Sequence, residues 1–294
     1  MENKFFKVIP IMDGVTAISG LGGELAYLVE GADRALLIDG LAGVGSLKPF
    51  VRELTDLPVT LALTHGHVDH NGAVFEYGEC YIHPKDISML YQRRGMGGRG
   101  TMEEARLNYA VNGRILRGDA RGITLADVVE TKPVRTYPIG EGDVFDLGGG
   151  VRIEVAEFPG HTVGEVVFID HSRRIAIFGD ACNLNTLLGG AYIEEYKETV
   201  EKFKERHMGT FDAIYCGHNV GAVPPEMIDE AIVLCQMIMD GKDDRITADH
   251  RGRISTLALE RGPDFKPKNG FHCNFMYSPE KIFGHLPEHA VLPL

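Results

Sequence analysis

The sequence predicts an α/β (α+β) fold in which two sheets pack together and helices cover their outer faces. Three observations support this prediction. Short apolar runs separated by turn residues follow one another in the first half, a second series of such runs follows in the middle, and each series is followed by helix-like segments. Strands in series, a helix, strands in series and then helices are the order expected for two packed sheets with outer helices.

The individual elements follow from periodicity and from the residues that start and end them. Ser46 is a candidate N-cap for a helix over 46–54, and the adjacent prolines Pro224 and Pro225 open a helix over 224–240. A third helix over 192–207 carries an apolar stripe at spacings of three and four. The predicted strands are 5–10, 15–19, 25–30, 34–39, 59–63, 134–137, 144–147, 151–158, 165–169, 174–178 and 213–216, and segment 241–294 is turn-rich with short strands.

Composition limits the class of protein. The 294 residues, 44% of them hydrophobic, suit a single domain over 1–294. The net charge of -12 argues against a nucleic-acid partner, whose phosphates favour a basic surface. No stretch approaches the roughly 20 apolar residues of a membrane span, so no membrane partner is expected. The N-terminus lacks a signal-peptide pattern, and the five scattered cysteines form no CxxC pair, which favours the cytoplasm.

Segment 85–130 differs from its surroundings and is predicted to be a helical insertion that forms a flap over the site. It mixes helical stretches with glycines, and it is locally rich in arginine. Guanidinium groups pair with carboxylates and phosphates, so these arginines are candidates for holding an anionic small-molecule substrate. The alternative is an ordinary solvated helix surface. The arginines are Arg93, Arg94, Arg99, Arg106, Arg114, Arg117 and Arg121, with Asp86, Glu103, Glu104 and Asp119 as opposing charges.

The strongest chemical signal is a run of three histidines and one aspartate directly after the apolar strand 59–63. Imidazole nitrogens and carboxylate oxygens are suitable ligands for Zn²⁺, at about 2.0–2.2 Å. In extended backbone His65 and His67 project to the same side and could hold one ion, while Asp69 and His70 lie past the strand end and could hold a second ion. Gly66 permits a close approach of the backbone. The run therefore predicts a metal site rather than a histidine-rich polar loop.

Three further candidate ligands each follow a predicted strand and a glycine. His161 stands in Pro-Gly-His-Thr, Asp180 in Phe-Gly-Asp and His218 in Cys-Gly-His. A single Gly-His or Gly-Asp pair is usually a turn, but three in series after an HxHxDH run favour a shared site. Asp39 ends another strand. It could form a hydrogen bond to a ligand histidine, or it could simply be part of a turn.

The pattern from about residue 25 to residue 218 resembles the metallo-β-lactamase superfamily. The resemblance implies a four-layer αββα sandwich with the site at one edge between the sheets. It implies that one metal ion is held by His65, His67 and His161, that a second is held by Asp69, His70 and His218, and that Asp180 bridges both. It also implies two divalent cations, with zinc as the first expectation and iron or manganese as alternatives.

The finer pattern is similar to the glyoxalase II and lactonase branch. Within the superfamily, a histidine at the position of His67 is similar to the hydrolases. An aspartate at the position of Asp180 resembles the glyoxalase II, lactonase and phosphodiesterase branches, whereas the zinc β-lactamases often carry cysteine there. The expected activity is hydrolysis of an ester, thioester, lactone or phosphodiester, with Asp69 as the catalytic residue that orients the attacking water and shuttles a proton. The alternatives are a mononuclear iron enzyme similar to the persulfide dioxygenases and a non-catalytic metal-binding regulator. A homodimer is the hypothesis for assembly.

Overall fold

Four layers of secondary structure stack in the order helix, sheet, sheet, helix. The computed structural model describes residues 3–92, 100–116, 122–188, 190–250 and 253–284. The first sheet has seven strands in sequence order: β1 (Lys7–Met12), β2 (Val15–Ser19), β3 (Leu25–Glu30), β4 (Ala35–Ile38), β5 (Val59–Ala62), β6 (Glu79–Ile82) and β7 (Arg135–Pro138). Strands β1 to β4 pair antiparallel and strands β4 to β7 pair parallel.

The second large sheet has five strands in the order β13-β11-β10-β9-β8. Its pairs are antiparallel except for β11 and β13, which are parallel. The strands are β8 (Val144–Asp146), β9 (Arg152–Glu157), β10 (Val166–Asp170), β11 (Ile175–Gly179) and β13 (Ala213–Cys216). Together with the outer helices, these two sheets confirm the predicted sandwich.

Alternation of side chains along the central strands produces the layers. In β3, Tyr27 and Val29 face the core between the two sheets, and Leu28 faces the outer core. In β10, Phe168 lies in the same central core and Ile169 packs on the opposite face. Because successive strand residues point to opposite faces, a strand that is apolar on both faces is buried on both. The helices covering the outer faces are α1 (Leu47–Leu54), α2 (Val74–Tyr77), α4 (Ile193–His207) and α5 (Met227–Met239).

A third sheet of four strands was not foreseen as a sheet. Its order is β12-β16-β15-β14, with β12 (Thr186–Leu187), β14 (Ile246–His250), β15 (Arg253–Leu257) and β16 (Phe275–Tyr277). The segment 241–294 does contain the short strands that were predicted, and Phe275 of β16 packs into the core beneath α4 and α5. Residues 285–294 lie outside the described part of the chain.

The predicted insertion 85–130 contains helical structure in three pieces. These are a 3₁₀ helix (Pro84–Tyr91), α3 (Met102–Leu116) and a second 3₁₀ helix (Leu125–Asp127). Residues 93–99 and 117–121, which include Arg93, Arg94, Arg99, Arg117, Asp119 and Arg121, lie outside the described residues. That this segment is a flap over the site stays a prediction.

Two further features concern the cysteines and the helices. All five cysteines are buried as free thiols, as expected for a chain without a disulfide framework. Within the described ranges, none of the helices combines the length and the apolar character needed to cross a bilayer.

Candidate metal centre

The ends of four strands carry the predicted ligands to one edge of the sandwich. Strand β5 leads into the His65–His70 run, β9 precedes His161, β11 ends just before Asp180 and β13 ends two residues before His218. Backbone hydrogen bonds tie this edge together: Gly217 N donates to Gly179 O at 2.6 Å, and Val166 N donates to Thr64 O at 2.9 Å. The second bond joins the two large sheets beside the site.

Glycine at position 179 is required by this close approach. Its φ of +51° is left-handed, and a Cβ there would lie 2.3 Å from Oγ1 of Thr64. Gly66 has a similar role, since a Cβ would lie 2.7 Å from the carbonyl oxygen of Asp86. Gly179 therefore allows the ends of β11 and β5 to meet, and Gly66 allows the ligand loop to pack on the 3₁₀ helix Pro84–Tyr91.

All seven predicted side chains come together. They form three overlapping groups, in each of which the potential ligand atoms lie within 4.8 Å of one another. The first and third groups are the two ligand sets that the resemblance implies, and the second group contains Asp180. The groups are His65, His67 and His161; His65, His70 and Asp180; and Asp69, His70 and His218.

One carboxylate oxygen lies between the two outer groups. Oδ2 of Asp180 is 3.1 Å from Nε2 of His218, 3.7 Å from Nε2 of His70 and 3.7 Å from Nε2 of His161. A single oxygen therefore faces nitrogens of both predicted ligand sets. This is the position that a bridging carboxylate needs.

Three histidines use one ring nitrogen to contact the protein and turn the other toward the centre. Nδ1 of His70 is 2.9 Å from Oδ2 of Asp39, and Nδ1 of His161 is 3.0 Å from the carbonyl oxygen of Leu187. Nδ1 of His65 is 3.0 Å from the Thr64 hydroxyl oxygen. Hydrogen bonds of this kind fix the ring and leave Nε2 available as a ligand. Asp39 therefore contacts a candidate ligand histidine, which is the first of the two roles that the sequence suggested for it.

The donor set fits a divalent cation. Nε2 of His65 is buried and has no hydrogen-bond partner among the described residues. A buried polar atom without a partner is unfavourable, and here it lies among other nitrogen and carboxylate ligand atoms. Imidazole and carboxylate donors match the preferences of zinc. A cation bound among them would satisfy this nitrogen.

The first predicted set is held in the neutral form that binds metals. Burial, together with neighbouring His161, lowers the pKa of His67 to about 3. Burial and the adjacent histidines also lower the pKa of His65 well below its ordinary value, and the pKa of His161 is lowered mainly by burial. Neutral imidazoles have a free lone pair, so no proton has to be displaced from these nitrogens.

The second predicted set, Asp69, His70 and His218, forms a charged cluster with the bridging candidate Asp180. Burial opposes ionisation of Asp180, but His218, His70 and His161 outweigh it and hold the pKa of that carboxyl well below its ordinary value. Burial likewise acts to lower the pKa of His70, yet Asp39, Asp69 and Asp180 raise it well above the usual range. The carboxylates attract a cation, and because the raised pKa of His70 favours its protonated form, metal binding at this set would release that proton.

The side chains of the candidate ligands differ in exposure. The side chains of His65 and His70 are fully buried, whereas His218 is 31% exposed and Asp69 is 17% exposed. His218 and Asp69 therefore lie where the centre meets the surface.

Two buried acids support the histidine loops from behind, and neither was predicted as a site residue. Asp86 accepts hydrogen bonds from Gly66 N at 3.1 Å, from the Thr162 hydroxyl at 2.6 Å and from Gly164 N at 2.9 Å. Glu165 lies 3.4 Å from Nδ1 of His65 and accepts a bond from Asp180 N at 3.2 Å. Asp86 was predicted as a countercharge for arginines, but it is fully buried and links the His65 and His161 loops.

Arg106 also differs from its prediction. It is neither a solvated surface arginine nor a substrate anchor, because it is completely buried. Its guanidinium donates to the carbonyl oxygens of Ala42 and Val68 and to Oδ1 of Asn71, and it lies 4.9 Å from the ring centroid of Phe75. Arg106 therefore anchors α3 to the ligand loop.

Glu24 is a third buried acid beside the centre. It is 2% exposed in the turn between β2 and β3, and its Oε2 has no hydrogen-bond partner among the described residues. Burial, reinforced by the nearby Asp69, raises the pKa of this carboxyl from 4.5 to about 7. Burial therefore favours the protonated form of Glu24 in the folded protein below about pH 7.

We expect Glu24 to make the metal-free protein less stable as the pH rises. The folded carboxyl binds its proton more tightly than the unfolded one, so the unfolding free energy falls between the ordinary pKa and about 7. The loss is about 3 kcal/mol, at about 1.4 kcal/mol per pKa unit. Glu24→Gln should remove this loss of unfolding free energy. Glu53→Gln, at an exposed position of α1, should leave the loss unchanged. Urea unfolding from pH 5 to 8 measures it, and a wild-type curve parallel to that of Glu24→Gln would contradict it.

Comparison with known proteins defines the family. The family model of the metallo-beta-lactamase superfamily matches residues 19–185, more than half of the chain. The chain therefore belongs to the metallo-beta-lactamase superfamily.

Individual relatives are distant. The chain is 24% identical to human acyl-coenzyme A thioesterase MBLAC2 over 208 residues, which are 65% of this chain and 71% of that protein. It is 27% identical to hydroxyacylglutathione hydrolase GloC of Haemophilus influenzae over 139 residues, 46% of this chain and 57% of the other. The solved metallo-beta-lactamase of Pontibacter korlensis covers 79% of this chain and 99% of its own at 16% identity, with a TM-score of 0.52. The structural likeness supports the fold.

Proposed function

We propose that this protein is a hydrolase that uses two divalent cations, with zinc as the first expectation, to cleave an ester, thioester, lactone or phosphodiester bond of a small molecule. The observation that carries the proposal is the convergence of seven imidazole and carboxylate side chains in two sets joined by Asp180. A single set would serve one ion. Two sets that share an oxygen favour a pair of ions.

The relatives favour a thioester among these bonds. One is named as an acyl-coenzyme A thioesterase and another as a hydroxyacylglutathione hydrolase. Both names describe hydrolysis of an acyl group carried by a thiol compound. These two relatives are only 24% and 27% identical to this chain. A thioester substrate is therefore a proposal for this chain, and so are its acyl group and its thiol carrier.

The chain's own residues have distinct roles in this proposal. When bound, the two cations supply a hydroxide nucleophile near neutral pH and stabilise negative charge that develops on the substrate. His65, His67 and His161 would hold one cation, Asp69, His70 and His218 the other, and Asp180 both. Asp39 keeps His70 in the orientation that presents Nε2 to the centre.

Asp69 is proposed as the catalytic residue. Its Oδ2 lies 3.6 Å from Nε2 of His218 and 4.0 Å from Nε2 of His70. Burial would raise its pKa, but His70 and His218 outweigh burial and lower it, so the carboxyl is ionised and can accept a proton. Its side chain is also partly exposed, at 17% of its surface. Asp69 can therefore orient the attacking water, accept its proton and return that proton to the leaving group.

The test combines metal analysis with an activity screen. The protein is purified, its metal content is measured, and it is assayed with an acyl-coenzyme A, a hydroxyacylglutathione, an aryl ester, a lactone and a phosphodiester. We expect about two zinc ions per chain and hydrolysis that a chelator abolishes and added zinc restores. One iron per chain with oxygen consumption would favour the dioxygenase alternative. Bound metal without hydrolysis of any substrate would favour the regulatory alternative.

A further inference from the structure

Asn183 lies three residues after the bridging candidate Asp180, and the sequence did not single it out. It is buried, with 4% of its surface exposed. Its Nδ2 donates a hydrogen bond to Oδ1 of Asp180 at 3.2 Å. An uncharged amide therefore contacts the carboxylate that lies between the two predicted ligand sets.

The two oxygens of Asp180 have different surroundings. Oδ2 faces candidate ligands, at 3.1 Å from Nε2 of His218 and 3.7 Å from Nε2 of His161. Oδ1 accepts the hydrogen bond from Asn183. A Cβ on Gly217 would lie 2.7 Å from this same Oδ1, so the glycine backbone packs directly on it. The carboxylate is therefore held through one oxygen, and the other oxygen is directed at the centre.

The orientation of the Asn183 amide follows from its second hydrogen bond. Oδ1 of Asn183 accepts from the backbone N–H of Asn185 at 2.6 Å. Because a backbone N–H can only donate, the amide atom that faces it must be oxygen, and the amide nitrogen then faces Asp180. A reversed amide would place its NH₂ against an N–H and its oxygen against a carboxylate. The side chain therefore has one favourable orientation, in which it donates to Asp180.

The turn that carries Asn183 is held by the C-terminal part of the chain. Within the turn, the backbone N of Asn183 donates to the Thr186 hydroxyl oxygen at 2.8 Å. Asn274, immediately before β16, donates from its backbone N to the Asn183 carbonyl oxygen at 3.0 Å. Its own carbonyl oxygen accepts from Thr186 N, also at 3.0 Å. The third sheet therefore supports the amide that contacts Asp180.

We propose that Asn183 is a positioning residue that acts through Asp180: it holds Oδ1 by a hydrogen bond, so that Oδ2 faces both ligand sets. The inference rests on the proposed function, because it takes Asp180 as the carboxylate shared by two cations. Carboxylates that bind metal ions are commonly fixed by hydrogen bonds of this kind. Without the amide, the Asp180 carboxylate would be freer to rotate away from the geometry that serves both cations.

The test compares Asn183→Ala with Asn269→Ala. Asn269 is the matched control, because its Oδ1 also accepts from the N–H two residues later, that of Phe271 at 3.1 Å, at an exposed position. Metal-free proteins are titrated with Co²⁺ and followed by visible absorption. We expect Asn183→Ala to weaken Co²⁺ binding about tenfold, as is usual when a metal ligand loses its partner, and to change the cobalt spectrum. In the zinc enzyme, kcat should fall about tenfold with little change in KM.

A double-mutant cycle keeps the proposal falsifiable if Asn183→Ala weakens the turn in general. An Asp180→Ala protein retains the first predicted set, whose three histidines can still bind one Co²⁺. In this background Asn183→Ala should cause no further change in Co²⁺ affinity, because its effect passes through Asp180. The proposal is overturned if Asn183→Ala matches Asn269→Ala in affinity and spectrum, or if its full effect persists without the Asp180 carboxylate.

The failure of this proposal and the failure of the proposed function give different results. A wild-type protein that binds two ions and hydrolyses a substrate, with an Asn183→Ala variant that matches the control, would defeat the role of Asn183 alone. Two bound ions without hydrolysis would defeat the proposed function and leave the cobalt comparison decisive. A wild-type chain that binds fewer than two Co²⁺ would defeat both.

Discussion

Asparagine in place of Asp180 is expected to reduce hydrolysis by about a thousandfold or more and to leave the purified protein with fewer than two cations. The substitution removes the negative charge from the one oxygen that faces both ligand sets, 3.1 Å from His218 and 3.7 Å from His161. Charge stabilisation by bound cations is worth several kcal/mol, and each 1.4 kcal/mol corresponds to a factor of about ten in rate.

The effect of this substitution should be larger on the metal content than on the fold. Asp180 makes its contacts with ligand histidines and with Nδ2 of Asn183, at 3.2 Å, rather than with the core. Metal analysis and kcat/KM measure the effect, and Asp212→Asn on the exposed surface is the matched control. An Asp180→Asn protein that retained two cations and more than a tenth of the wild-type activity would show that this carboxylate does not bridge the ions.

The convergence of the candidate ligands could be predicted because each one follows a strand end that has a strong local signal. The apolar run of β5 stops at Thr64, and the glycines before His161, Asp180 and His218 mark the points at which strands end. Strand ends in an αββα sandwich lie at common edges, so the order of strands and glycines carries much of the site geometry. The two large sheets follow from the same alternating patterns.

The supporting residues could not be predicted in this way, because their roles depend on contacts between distant segments. Arg106 bonds Val68 across 38 residues, and Asp86 bonds Gly164 across 78. In the sequence both stand in a charged segment that has the composition of a solvated helix. Only the folded packing shows that their charges are buried. The third sheet was missed for a related reason, since β12 (Thr186–Leu187) pairs with β16 (Phe275–Tyr277), a strand distant in the sequence.

Alanine in place of Asp86 is expected to destabilise the protein by about 3 kcal/mol or more and to weaken metal binding at the first ligand set. Asp86 accepts hydrogen bonds from two buried backbone N–H groups, of Gly66 and Gly164, and from the hydroxyl of Thr162. A buried donor left without an acceptor costs about 1–3 kcal/mol. The hydroxyl can still bond Glu165, which lies 3.3 Å away, but the two N–H groups have no such substitute.

The consequence for the site follows from which loops these donors belong to. Gly66 lies between His65 and His67, and Gly164 lies three residues after His161, so Asp86 joins the two loops of one ligand set. Asp86→Asn should be intermediate, because its amide keeps one acceptor oxygen and places an NH₂ against an N–H or O–H donor. Asp143→Ala is the control: it removes a carboxylate that accepts from Gly140 N at 2.9 Å on the surface, and should cost under about 1 kcal/mol. Urea unfolding of the metal-free proteins and zinc titration measure the two effects, and the account fails if Asp86→Ala unfolds at the same urea concentration as Asp143→Ala.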